Sequence, residues 1–283
     1  MTTILDGKGL ASKITGELKE KVSTLSKKPK LAVILVGNNP ASQIYVKNKS
    51  IKAQNIGFES LVINLPEESS EENILEHIYV LNEDDNVNAI LVQLPLSPHI
   101  NKQRILEAID PIKDVDVFTS YNFGRLALGY KPYALPCTPK GIIRLLEEYN
   151  IPLEGKNVLI IGRSNIVGKP LFFMLQQKNA TVTLAHSKTK DIKSQAKQAD
   201  IIISAIGKPK YLSADFIKKD AIIIDVGISR TQDGISGDVD FEKVKYIASY
   251  ITPVPGGVGP MTIAMLMENT FELYQYQRAL IPE

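Results

Sequence analysis

The chain has 283 residues, 44% of them hydrophobic, enough to bury the cores of two domains. Its 33 Lys and Arg against 31 Asp and Glu leave a net charge of +2, and no basic run is long enough to mark a nucleic-acid partner. A single cysteine, Cys137, excludes an internal disulfide and fits a reducing compartment. No apolar stretch approaches the ~20 residues of a membrane helix, and the N-terminus lacks a signal peptide's charged start and apolar core. A cytoplasmic protein with no membrane partner is therefore expected. The three histidines, His77, His99 and His186, are widely spaced, so no metal site is expected either.

In chain order, Leu10, Ile14, Leu18, Val22 and Leu25 recur at helical spacing and predict an amphipathic first helix. Leu31 to Val36 is a continuous apolar run, as expected for a parallel strand covered on both faces. Tyr45 and Lys49 are four residues apart and share one face if helical. A phenol beside an ammonium can serve proton transfer, although a solvated helix face with Lys47 and Lys52 explains the same pattern. Leu61 to Asn64 and Ala89 to Val92 read as further strands. Gln93-Leu94-Pro95-Leu96 then sits at a carboxyl strand end, where α/β proteins gather their ligands. Asp114-Val115-Asp116-Val117 follows Pro111, with Asn122, Gly124 and Arg125 downstream. Taken singly, a strand-end cap accounts for Gln93 and a turn carboxylate for Asp116. Cys137 has no nearby activating base and reads as structural.

The second half repeats the alternation through Val158 to Ile161, Thr181 to Ala185, Ile201 to Ser204 and Ala221 to Asp225. Between the first two of these strands lies Gly162-Arg163-Ser164-Asn165-Ile166-Val167-Gly168-Lys169-Pro170. A strand, a glycine turn and a helix N-terminus make an anion site, with Pro170 in the first helical turn where proline costs little. The G-x-x-x-x-x-G spacing is weaker than G-x-G-x-x-G, but its flanks support a dinucleotide loop. The next strand ends in His186-Ser187-Lys188-Thr189, with no carboxylate to hold a ribose 2′-hydroxyl. Together with Arg163 this favours NADP over NAD. Pro253 to Pro260 precedes a long helix beginning near Thr262.

The fold class expected is α/β: two α/β domains with mainly parallel sheets, the C-terminal one a Rossmann-type nucleotide-binding domain, and a ligand cleft between them. The domains expected are 1–139 and 140–260, with a C-terminal helix at about 261–283 packing back on the first.

Taken together, several segments carry a resemblance over nearly the whole chain. They are Tyr45-x-x-x-Lys49, Gln93 to Leu96, Lys113 to Asp116, Pro136-Cys137-Thr138-Pro139-x-Gly141, Gly162 to Pro170 and Pro253 to Thr262. In this order they resemble the bifunctional methylenetetrahydrofolate dehydrogenase/methenyltetrahydrofolate cyclohydrolase family. The resemblance implies oxidation of 5,10-methylenetetrahydrofolate with NADP⁺, then hydrolysis of the methenyl product to 10-formyltetrahydrofolate. It implies a catalytic set of Lys49, its aromatic neighbour Tyr45, its hydrogen-bond partner Gln93, and Asp116 as the anchor of the pterin ring. It adds Leu94, Pro95, Pro255, Gly256, Gly257 and Thr262 to the folate site. For NADP it implies Gly162, Arg163, Ser164, Ile166, Val167, Gly168, His186, Ser187 and Ile228. A homodimer joined through the nucleotide-binding domain is also implied. The sequence departs from the family at Val117, where glycine is usual. If that position takes a positive φ, a β-branched residue there costs at least about 1–2 kcal/mol. A dehydrogenase without hydrolysis and a silent NADP-binding protein stand as the alternatives.

Overall fold

The computed structural model describes residues 2–232 and 234–280. The first elements are β1 (Thr3–Ile4), α1 (Gly7–Ser23), β2 (Lys30–Val36), α2 (Pro40–Ile56), β3 (Glu59–Leu65), α3 (Glu71–Glu83) and β4 (Ala89–Val92). There follow α4 (Lys102–Glu107), α5 (Ser120–Ala127), α6 (Cys137–Glu148), β5 (Asn157–Ile161), α7 (Gly168–Gln176), β6 (Thr181–Ala185) and α8 (Ile192–Gln198). The last are β7 (Ile201–Ser204), β8 (Ile222–Asp225), β9 (Ser229–Thr231), β10 (Gly234–Ser236), α9 (Phe241–Val244), β11 (Tyr250–Ile251) and α10 (Val258–Leu280). Among the described residues no helix is long and apolar enough to cross a membrane.

The chain divides into two compact units. Residues up to Ser12 join Thr138–Thr262 in one; Lys13–Cys137 join the stretch from Ile263 onward in the other. The junctions fall inside α1, at the start of α6 and inside α10.

The unit holding residues 138–262 is built on a six-stranded sheet in the order β1-β11-β8-β7-β5-β6, with every pairing parallel. Its central strands are the Ile-rich runs of β7 and β8, buried at every position. Parallel strands covered on both faces need such continuous apolar sequence. The edge strand β6 instead exposes Thr181 and Thr183. From β5 the chain passes through α7 to β6 on one side, then through α8 to β7 on the other. The carboxyl end of β5 is therefore the topological switch point, the usual ligand position in such sheets.

The second unit repeats this logic on three parallel strands in the order β3-β2-β4. Ile34 and Val36 of β2, Ile90 and Val92 of β4, and Ile74, Ile78 and Leu81 of α3 lie in one buried cluster. Because β2 is central, its carboxyl end, which leads into α2, is this unit's switch point.

Two helix boundaries differ from the sequence reading. Leu25 lies beyond α1, which ends at Ser23, because Lys28 Nζ donates to the carbonyls of Val22 (2.8 Å) and Leu25 (2.6 Å) and closes the helix there. α10 starts at Val258 rather than near Thr262; Pro260 then falls in the first turn, where its missing N–H has no intrahelical role. The helix expected to reach 283 is observed to Leu280, and residues 281–283 lie outside the described residues.

Candidate active site

In the three-stranded unit, Gly37 at φ +78 turns the chain out of β2, and Asn39 caps α2 by accepting from the N–H groups of Ala41 and Ser42. Pro40 occupies the first helical position, and Gly57 in the left-handed conformation closes the far end. The helix so fixed carries Tyr45, 42% exposed, and Lys49 one turn later. Lys49 Nζ donates to Gln93 Oε1 at 3.0 Å. Gln93 Nε2 donates to the Leu94 carbonyl at 2.7 Å, which orients the amide with its oxygen toward the lysine. Gln93 follows β4 directly, and the Leu94–Pro95 peptide beyond it is cis. The helix of one switch point and the strand end beside it thus meet in a lysine–amide pair.

Asp116 lies next to the same strand. The Ile90 N–H donates to the Lys113 carbonyl (2.8 Å), and Asp114 forms a parallel bridge with Ile90 of β4. Both residues before Asp116 in the Lys113-x-x-Asp116 segment with ionisable side chains are buried and serve the backbone. Lys113 Nζ donates to the carbonyls of Leu81, Asn82 and Asp84, closing the end of α3. Burial pushes its pKa down. Asp114 accepts from the N–H groups of Phe118 and Thr119, from Thr119 Oγ1 and from Asn122 Nδ2. Burial pushes this carboxyl up, against the pull of those hydrogen bonds. Asp116 is only half-buried, and Val117 after it stands at φ +62.

In the six-stranded unit, the loop from Gly162 to Gly168 occupies the switch point at the end of β5. Gly162 has φ +120, and a Cβ there would lie 2.3 Å from the Ala205 carbonyl oxygen. A Cβ on Gly168 would lie 1.8 Å from the Gly162 carbonyl oxygen. Both glycines are needed for α7 to start hard against the strand end. Ser164 Oγ accepts from the Val167 N–H at 3.1 Å. The capping position of α7, Val167, supplies no side-chain hydrogen bond; the Lys169 N–H donates to the Ser164 carbonyl at 3.0 Å, which leaves the Gly168 N–H to face an outside acceptor. Arg163, Ser164, Asn165 and Ile166 are exposed around it, whereas Val167 and Gly168 are buried.

At the end of β6, His186 Nδ1 accepts from the Lys188 N–H at 3.1 Å, and the His186 N–H donates to Thr189 Oγ1. Ser187 is exposed. The first carboxylate after the strand, Asp191, accepts from the Ser194 N–H as the cap of α8. Among the described residues from His186 to Gln198 no further carboxylate remains to receive a ribose 2′-hydroxyl, while the Arg163 charge stands at the neighbouring loop. A helix N-terminus, a glycine-cradled turn and a basic side chain fit a phosphorylated dinucleotide.

The sequence reading missed a buried pair of aspartates beneath this site. Asp225, at the end of β8, accepts from the N–H groups of Gly227 (3.0 Å), Asp238 (2.9 Å) and Val239 (2.9 Å). Asp238 accepts from Ser204 Oγ and from the N–H groups of Ile206 and Lys208. The two carboxylates tie down the loops after β7 and β8, including the turn that presents Ile228, 47% exposed. Burial, with the Asp238 charge nearby, pushes the Asp225 carboxyl up to about 6. The available signal was Gly227 and Gly237: a Cβ on the first would meet Asp238, and on the second Asp225.

The Pro253 to Thr262 segment contains a second cis peptide, Val254–Pro255, and Gly256 at φ +112. Gly257 is buried, and the Gly256 carbonyl accepts from the Lys8 N–H at 2.8 Å. Thr262 shares a hydroxyl hydrogen bond of 2.9 Å with Thr138. Cys137 is 3% exposed and beside the Val115 carbonyl at 3.6 Å, a packed rather than a reactive setting.

Comparison with known proteins matches this arrangement over nearly the whole chain. Residues 5–116 match the catalytic domain of the tetrahydrofolate dehydrogenase/cyclohydrolase family, and residues 136–278 match its NAD(P)-binding domain. The chain is 53% identical over 277 residues to the bifunctional protein FolD of Streptococcus thermophilus, covering 96% of this chain and 97% of that protein. Among solved structures, the bifunctional FolD methylenetetrahydrofolate dehydrogenase/cyclohydrolase of Campylobacter jejuni superposes with a TM-score of 0.96 at 52% identity, covering 98% of this chain and 99% of that one. The Trypanosoma brucei enzyme, complexed with NADP cofactor and inhibitor, gives a TM-score of 0.94 at 36% identity, covering 99% of both chains. With both of its domains matched and half its residues identical to the two bacterial relatives, the chain belongs to the tetrahydrofolate dehydrogenase/cyclohydrolase family.

Proposed function

We propose that this chain catalyses two consecutive steps of one-carbon folate chemistry, the NADP⁺-dependent oxidation of 5,10-methylenetetrahydrofolate and the hydrolysis of the methenyl product to 10-formyltetrahydrofolate. The observation that carries the bifunctional reading is the Lys49–Gln93 contact of 3.0 Å, because hydrolysis needs a placed polar group that hydride transfer does not. It favours this reading over a dehydrogenase lacking hydrolysis and over a silent nucleotide-binding protein.

In the hydrolysis, water adds its oxygen to the amidinium carbon, one carbon–nitrogen bond of the bridge breaks, and a proton is released. Lys49 Nζ donates to Gln93 Oε1 and has a further N–H to direct at the oxygen of the tetrahedral carbon, while the proton lost by the attacking water passes to solvent. Tyr45, one turn earlier on α2, lies against the folate ring, with Leu94 and Pro95 lining the same strand end. Asp116 accepts hydrogen bonds from the pterin. In the nucleotide-binding unit, the loop from Gly162 through Ile166 and Val167 to Gly168 would hold the pyrophosphate. Arg163 would bind the 2′-phosphate, and Ser164, His186, Ser187 and Ile228 would complete the contacts. When bound, NADP⁺ supplies the hydride acceptor of the first step. On this reading residues 1–139 form the folate domain and 140–260 the nucleotide-binding domain. The protein would be a cytoplasmic homodimer with no nucleic-acid partner.

The test compares initial rates of nicotinamide reduction with NADP⁺ and NAD⁺ at equal concentration, and follows methenyltetrahydrofolate hydrolysis in Lys49→Ala. NADP⁺ should be the better substrate, and the variant should lose hydrolysis by at least about 100-fold. Preference for NAD⁺, or near-wild-type hydrolysis by Lys49→Ala, would count against the reading.

A further inference from the structure

The half of α10 that belongs to the three-stranded unit is largely apolar, with Ala264, Met265, Leu266 and Met267 all buried. Asn269 is fully buried among them. A buried amide is tolerated only where its donors find acceptors. Asn269 Nδ2 donates to the Leu135 carbonyl at 2.7 Å and to the Val115 carbonyl at 2.9 Å, and approaches Cys137 Sγ at 3.4 Å.

The Val115 carbonyl belongs to the peptide that leads into Asp116. A hydrogen bond to that oxygen fixes the plane of the peptide and so the direction in which the Asp116 side chain departs. On the far side of Asp116, the Asp114 carboxylate holds the N–H groups of Phe118 and Thr119. Asp116 therefore sits in a turn clamped before and after, the side before it held by the Asn269 amide at 2.9 Å and, more weakly, by the Cys137 thiol at 3.6 Å. The clamp also accounts for Val117 keeping φ +62, since a disfavoured backbone conformation persists where its surroundings over-determine it.

We propose that Asn269 is a positioning residue for the folate site, acting through the Val115–Asp116 peptide to aim the Asp116 carboxylate. This rests on the reading of Asp116 as the pterin anchor. The two ideas fail separately in a double-mutant cycle of Asn269→Ala and Asp116→Ala, read as Michaelis constants for both substrates. Asn269→Ala should raise the folate constant about tenfold, as expected for two buried carbonyls losing their donor, and leave the NADP⁺ constant within about twofold. In the Asp116→Ala background the same change should alter the folate constant by less than about twofold, since coupled residues are non-additive. An unchanged folate constant in the single variant, or an equal rise in both backgrounds, would overturn the positioning role and leave Asn269 a general packing residue. If Asp116→Ala alone leaves folate binding intact, the anchor assignment itself is wrong. Should Asn269→Ala not fold, Asn269→Ser retains one donor and completes the same cycle, with an intermediate rise expected.

Discussion

At Val117 the backbone enters the left-handed region, at φ +62, with a β-branched side chain that is 2% exposed. Two opposing effects meet there. The conformation costs roughly 1–2 kcal/mol for a residue with a Cβ, while burying the valine returns about 1.5–2 kcal/mol. Replacing Val117 with glycine would remove both, so comparison with the wild type alone is uninformative. Comparing Val117→Gly with Val117→Ala isolates the backbone. At an ordinary position alanine is more stable than glycine by about 0.5–1 kcal/mol, and here the order should be equal or reversed in urea unfolding. An alanine variant more stable by the usual margin would mean the turn carries no strain. The departure from glycine was legible only through the family resemblance. Asn269 was not legible at all, because a lone Asn in an apolar helix gives no sign of which carbonyls it will meet.

On the scale of single elements, the glycines at both ends of the nucleotide loop make a sharp demand on α7. An added Cβ at Gly168 would sit 1.8 Å from a backbone oxygen, a contact no rotamer relieves, so the helix start must retreat from the strand. Gly168→Ala should weaken NADP⁺ binding by more than about tenfold through loss of the helix N-terminus as an anion site. Equilibrium titration of the nucleotide checks this, and wild-type affinity would show the helix position to be unimportant. The main strands were readable because covered parallel strands are unbroken apolar runs, whose bounds β4 and β7 follow closely, while β6 was readable from its alternating Thr181 to Ala185. β1 and β11, of two residues each, carry no period to read, and they exist only because they pair with one another and with β8. The Asp225–Asp238 pair escaped notice for a related reason. Thirteen residues separate the partners, and only the return of the β9–β10 hairpin brings Asp238 back beside the end of β8.

The stability of the whole molecule should record that pair. The Asp225 carboxyl is raised from 3.8 to about 6, so the folded state binds this proton more tightly than the unfolded chain. Its contribution is full below the unfolded value and is lost as pH rises through about 6, the reverse of the usual carboxylate behaviour. The effect is at most about 3 kcal/mol. Carboxylates such as Asp200, held below the usual range by Lys218, act in the opposite sense. The expected result is therefore a difference: stability of the wild type relative to Asp225→Asn should fall between pH 4 and 6. A constant difference across that range would remove Asp225 as a titrating group.

Neither compact unit is continuous in sequence, and this bears on how the protein is made. β1 is made before every other strand described, yet among the described residues its one strand partner is Tyr250–Ile251. The other unit waits longer still, since Tyr274 of α10 donates to the Lys27 carbonyl and Gln277 to those of Asn88 and Ile112. At about 5–20 residues per second of synthesis, the nascent chain holds both units unfinished for at least ~10 s. A transcript cut short near codon 250 would yield two defective halves rather than one sound unit and a stump.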